Sequence, residues 1–246
     1  MENKELIEKL KEKQIMKLIF SIILLVLCEF AVANIAEQNV NPGVNRHYQG
    51  AEFKDWVGIF EQPGREVYDK RHDVVKALNL KPGMNIADIG AGTGFYSLLF
   101  AQKVGEIGQV FAVDITDDFI LNINRRASEK NLKNIHGVVS TEKDTLLAPG
   151  SVDMAFVCDT YHHFEYPQTM LSSIRHALRS GGELIIIDFK KQPKISSSWV
   201  MSHVRTDKKA VIREIEQAGF KLQSETDILK TNFFLRFIKI NNRDQE

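Results

Sequence analysis

Apolar positions in this chain follow two spacings that take turns along its length. Short, nearly continuous apolar runs predict strands at 84–87, 109–113, 135–139, 151–159 and 183–188. Between them, apolar residues recur at helical spacing, predicting helices over 65–79, from Phe95 through Ala101, and over 117–130, 167–179 and 207–218. Lys81-Pro82-Gly83 turns the chain into the first strand, and Gly219 is a natural stop for the last helix. Two closing runs, at 222–227 and 233–240, predict a terminal β-pair. Strands alternating with helices and ending in such a pair fix the class as α/β.

The N-terminus departs from this pattern. Residues 18–33 are apolar all round, broken by Ser21, Cys28 and Glu29, and preceded by Lys13 and Lys17. The run is short for a spanning helix, which needs about 20 residues. Small residues after it (Ala31-Val32-Ala33, Ala36) offer a cleavage point, so residues 1–36 are expected to be a secretory signal or a membrane anchor. Either places the remainder outside the cytoplasm, with residues 18–33 as the means of any membrane association; a cytoplasmic location stays open. Residues 37–64 are polar and turn-rich but carry Tyr48, Phe53, Trp56 and Phe60, which want a surface to cover. We expect them to cap a pocket on a domain spanning 65–240, with 241–246 a polar tail, although completing the core is an equal alternative.

A chain of 246 residues suffices for one substantial domain and an appendage. Formal net charge is zero, so composition gives no general attraction to nucleic acid, and no nucleic-acid partner is expected. Two cysteines, Cys28 and Cys158, supply neither a disulfide framework nor a zinc site.

Chemistry concentrates at Asp88-Ile89-Gly90-Ala91-Gly92-Thr93-Gly94, between the first strand and the helix at Phe95. A strand, glycine turn and helix open a doubly wound unit, whose ligand sits beyond the carboxyl ends of the strands. The dinucleotide fingerprint Gly-x-Gly-x-x-Gly does not fit: the third glycine comes one residue early and Phe95 stands where a small residue is required. Asp88 suits a ligand bearing a positive amino group better than one bearing phosphates. Strand two ends in Asp114, about 20 residues after the turn, where ribose recognition requires an acid.

Acid-x-Gly-x-Gly-x-Gly resembles motif I of the class I S-adenosylmethionine (SAM)-dependent methyltransferases. Ser151–Asp159 resembles that family's fourth strand, and 178–188, with Gly181-Gly182, the turn into its fifth; Ser180 stands where proline is usual. The resemblance covers about 65–240, and residues 37–64 resemble the N-terminal segment of a group of small, often signal-bearing bacterial members. It implies a Rossmann-like, seven-stranded doubly wound sheet with a C-terminal antiparallel hairpin. SAM is the implied cofactor, held by Asp88, Gly90, Ala91, Gly92, Thr93 and Gly94, with Asp114 on the ribose and Ile115 on the adenine. The usual adenine-edge acid is missing, leaving Ser140, Thr141 or Glu142 to replace it, while Asp159 and Thr160 lie at the methionine end. Asp159 could instead orient a histidine.

Tyr161, His162 and His163 follow the fourth strand, where relatives place residues around the transferred methyl. A histidine could act as base or substrate contact, and His163 is favoured because consecutive residues point apart. The alternative is a hydrogen-bonded core histidine. No metal site is expected, since His47, His72 and His203 lack suitable spacing to the pair. The implied activity is methyl transfer to a small-molecule or lipid-like acceptor. Its rivals are a SAM-binding protein without turnover and, against Phe95, an NAD-type oxidoreductase.

Overall fold

Val152–Cys158 (β4) is apolar apart from Asp153 because both faces of its centre are covered. Met154 and Phe156 enter one core cluster, while Val152, Ala155 and Val157 enter the other. The same division splits Ile185 and Ile187 from Leu184 and Ile186 in Leu178–Phe189 (β5). In this computed structural model, residues 13–17, 37–48 and 52–240 are described. Met1–Gln38 and Asn39–Glu246 are separate units, and the sheet lies in the second.

The sheet adds Ile86–Ile89 (β1), Val110–Asp114 (β2), Ile135–Val139 (β3), Phe220–Glu225 (β6) and Asn232–Lys239 (β7). Its order is β3-β2-β1-β4-β5-β7-β6. Only β7 runs antiparallel to its neighbours, so the seven-stranded sheet with a closing hairpin is as expected. Strand order reverses beside β1, whose neighbours are β2 and β4, and a ligand crevice belongs at that point.

Among the described residues of this unit are eight α-helices: Phe53–Phe60 (α1), Glu66–Asp69 (α2), Arg71–Leu78 (α3), Phe95–Val104 (α4), Asp117–Glu129 (α5), Pro167–Ala177 (α6), Ser198–His203 (α7) and Lys208–Gln217 (α8), with 3-10 turns at Arg46–Tyr48 and Tyr161–His163. Val74, Leu78, Phe100, Val104 and Ile123 fill one core; Leu171, Ile174, Val211 and Ile215 fill the other.

Three expectations need correction. The single helix over 65–79 breaks at Lys70 (φ −91°, ψ 10°) into α2 and α3. The helix from Pro167 stops at Ala177, because Leu178 already pairs with Val152 and is wholly buried. Finally, α7 was not foreseen: at six residues it is too short to show periodicity, though Ser197 caps it by accepting from the Val200 N–H at 3.2 Å. Residues 18–33, with Cys28, lie outside the described residues, as does the tail 241–246. No helix among the described residues is long and apolar enough to cross a membrane.

Candidate active site

The turn after β1 is built to expose backbone. Gly90, Gly92 and Gly94 all have positive φ (69°, 55° and 77°), a conformation that disfavours any residue with a Cβ. The Gly90 and Ala91 N–H groups both donate to the Val113 carbonyl, at 2.8 and 3.0 Å, fastening the turn to β2. A Cβ on Gly92 would stand 3.1 Å from the Phe60 ring, and one on Gly90 2.2 Å from Thr160 Cγ2. Beside this turn lies a cavity of about 750 Å³.

Asp114 ends β2 at the cavity wall, 7% exposed. One carboxylate oxygen accepts from the Gly92 N–H at 2.9 Å and the other from the Thr116 N–H at 3.0 Å. A carboxylate has about four lone-pair sites, so each oxygen can accept beyond its one backbone N–H. Burial raises its pKa while the Gly92 and Thr116 hydrogen bonds oppose the rise. Asp88 also lines the cavity, and its Oδ2 accepts from the Ser97 hydroxyl at 2.6 Å. Burial pushes its pKa up to about 7. A cationic ammonium group would relieve that cost. A glycine turn, a buried carboxylate at the end of β2 and a second one whose charge is costly to bury have the chemistry to receive the ribose and amino ends of SAM.

Ala91, Ile115, Ser140, Thr141, Asp159 and Thr160 line the cavity as well, and so does Glu142. Two expected contacts do not. The Thr93 side chain is fully buried away from the cavity wall, and its carbonyl accepts from Arg126 at 2.7 Å. Gly94 turns toward α5, where a Cβ would meet Ile123 Cγ1 at 2.6 Å. Asp159 is engaged by protein: Arg65 Nη2 donates to one oxygen at 2.8 Å and Asn232 Nδ2 to the other at 2.6 Å. It therefore does not orient a histidine through a hydrogen bond.

The three residues expected near the methyl have separate fates. Tyr161 is wholly buried and donates to Glu214 at 2.7 Å, so it reaches core rather than cavity. Its neighbour His162 is also core, with Nδ1 2.8 Å from Asp188 Oδ1 and its backbone N–H donating to Asp188 Oδ2 at 3.0 Å. Only His163 lines the cavity, with Nε2 3.3 Å from the Tyr48 hydroxyl and 3.4 Å from His203 Nε2. Burial, then the His162 and His203 rings, depress its pKa to about 2. A depressed pKa weakens such a ring as a general base, one of the two roles expected for it, and suits the other, contact with substrate.

Sequence reasoning missed several cavity residues. Arg65 was read only as the start of a helix. Trp199 and His203 arrive on α7, and the His163–His203 contact spans 40 residues, beyond any local spacing. Of the aromatics expected to cap a pocket, Tyr48, Trp56 and Phe60 line the wall and Phe53 does not; Asn45, which carried no signal, joins them. Tyr48 packs on Trp56 with ring centroids 4.6 Å apart, and Asn45 Nδ2 donates to the His163 carbonyl at 3.2 Å.

A family model described as a methyltransferase domain matches residues 80–232. Among curated proteins, a ubiquinone/menaquinone biosynthesis C-methyltransferase, UbiE, from a Shewanella species is 26% identical over 123 residues, 50% of this chain and 49% of that protein. The chain thus spans about half the length of the curated relatives it matches. A SAM-dependent methyltransferase from Aquifex aeolicus aligns with a TM-score of 0.68 and 25% identity, covering 77% of this chain and all of that one. The [4+2]-cyclase SpnF shares the fold at a TM-score of 0.61 and 15% identity, over 73% of this chain and 85% of that one. With motif, strand order and family model in agreement, the chain belongs to the methyltransferase-domain family, in its class I SAM-dependent form.

Proposed function

We propose that this protein transfers the methyl group of SAM to a small, apolar acceptor carrying a hydroxylated ring, of quinone-like character. SAM bound at the glycine turn supplies an electrophilic methyl on sulfur. Gly90 and Gly92 let the chain approach it, Asp114 accepts from the ribose hydroxyls, and Asp88 faces the amino group. Alignment of donor with acceptor supplies most of the acceleration in such a reaction, up to about 7–11 kcal/mol in the best intramolecular cases. The observation that carries the acceptor class is an aromatic group on the cavity wall: Tyr48 packs on His163 with centroids 5.3 Å apart, Trp199 stacks on His203 at 4.4 Å, and Phe189 lies beside Trp199 at 5.7 Å. Flat rings suit such walls, and the relationship to UbiE points the same way.

The test is to incubate the purified protein with SAM and a panel of hydroxylated aromatics and quinols, following S-adenosylhomocysteine by mass spectrometry. Homocysteine nucleoside should accumulate above the acceptor-free rate with at least one ring acceptor. Asp114→Ala should weaken SAM binding at least about tenfold, as expected for loss of a charge-assisted pair of hydrogen bonds. Tight SAM binding with no product from any acceptor would instead identify a binding protein without turnover.

A further inference from the structure

Three imidazole rings meet at the aromatic end of the cavity, and the methyl-transfer reading uses none of their nitrogens. One ring nitrogen from each of His162, His163 and His203 lies within 4.8 Å of the other two. His163 Nε2 and His203 Nε2 stand 3.4 Å apart. Ligands about 2.0–2.1 Å from a tetrahedral zinc ion are separated by about 3.3–3.4 Å, so this pair already has the spacing of two ligands on one ion.

His162 provides an independent reason. It is 2% exposed, and Asp188 occupies its Nδ1. Its Nε2 is buried without a hydrogen-bond partner. Buried polar atoms left unsatisfied in this way call for an explanation such as an unseen ion. A carboxylate on the far nitrogen is also how metal-bound histidines are usually held, since it fixes the tautomer and makes the free nitrogen a better ligand. Asp188 does this with its second oxygen on the His162 backbone N–H at 3.0 Å, so ring and main chain are oriented together.

We propose that His162, His163 and His203 bind one divalent transition-metal ion, with Asp188 as the positioning carboxylate behind His162. Three imidazoles leave a fourth position open, as in catalytic rather than structural zinc sites. His163 and His203 line the cavity, so that position faces the space where an acceptor would lie. An oxygen ligand of water or of a hydroxylated small molecule fits there, its proton made more acidic by the ion. Bringing nitrogens that lie within 4.8 Å to about 3.4 Å requires at most about 1.4 Å of closure, and α7, which brings His203, is six residues long with Val200 its buried residue.

Cobalt(II) is the probe, added to the full chain after treatment with a chelator. One cobalt per chain should bind, with the visible absorption of a four-coordinate ion, and zinc should displace it. His203→Ala, at a half-buried position on a surface helix, should lower cobalt affinity at least 100-fold without moving the melting temperature of the metal-free protein. Asp188→Asn should lower it 10–100-fold, and His136→Ala, remote on β3, should leave it unchanged. Failure to bind cobalt below about 100 μM, or unchanged affinity in His203→Ala, would overturn the proposal. Because the readout is metal binding, it is decided separately from whether any acceptor is methylated.

Discussion

Asp88 sits where its own charge is expensive. It is 3% exposed, and burial lifts its pKa from 3.8 to about 7 against the opposing Ser97 hydrogen bond. The folded chain therefore holds this proton more tightly than the unfolded one, so stability is fully present below about pH 4 and is lost as pH rises through 7. The loss can reach about 4 kcal/mol. Asp88→Asn keeps an acceptor for Ser97 and removes the charge. Denaturant unfolding should show the variant more stable than the parent at pH 8 and nearly equal at pH 4, with weaker SAM binding at both. An equal effect at both pH values would show that the carboxyl is not the titrating group. The acid itself was legible from its place before the glycines. Its partner was not, because Ser97 comes within reach only once the turn reverses the chain into α4.

Among the elements, the strand–turn–helix at β1 and α4 was the most readable, since periodicity, glycines and an acid agreed over one short stretch. Gly94 now has a role different from its neighbours: it closes the turn against α5. Gly94→Ala would impose φ 77° on an alanine and set its Cβ 2.6 Å from Ile123 Cγ1. We expect a loss of about 2–4 kcal/mol, seen as a fall of roughly 5–10 °C in melting temperature. SAM should still bind the folded fraction, since Gly94 does not line the cavity. Elements were misread where tertiary pairing outweighed local pattern. Leu178 joins β5 because a buried partner strand is waiting for it, and α7 forms because a cap and the cavity wall hold six residues that carry no period.

At the scale of the molecule, the central strands were legible because burial on both faces writes itself into runs of valine and isoleucine, whereas the seven-stranded sheet with its hairpin was implied by the family resemblance. The cavity was half legible: the cofactor wall follows from local motifs, whereas the aromatic wall comes from segments far apart in sequence. The chain has two tryptophans, both lining the cavity: Trp56 on the capping helix α1 beside Phe60, and Trp199 on α7 against His203. Phe60, one turn beyond Trp56, overlies Gly92. Adding S-adenosylhomocysteine should alter the emission of the parent and of Trp199→Phe, and leave Trp56→Phe nearly silent. A response retained in Trp56→Phe alone would place the nucleoside at the other end.

Arg126 joins two parts of this arrangement. It donates to the Thr93 carbonyl at 2.7 Å, and its guanidinium grips Glu61 at the end of α1, with Nη2 to Oε2 at 2.9 Å. The roof over the chamber is thus bolted to the loop that forms part of its floor. Guests cannot be exchanged by swinging the roof alone: that bolt must slip, or they must pass through whatever gap the fixed roof leaves.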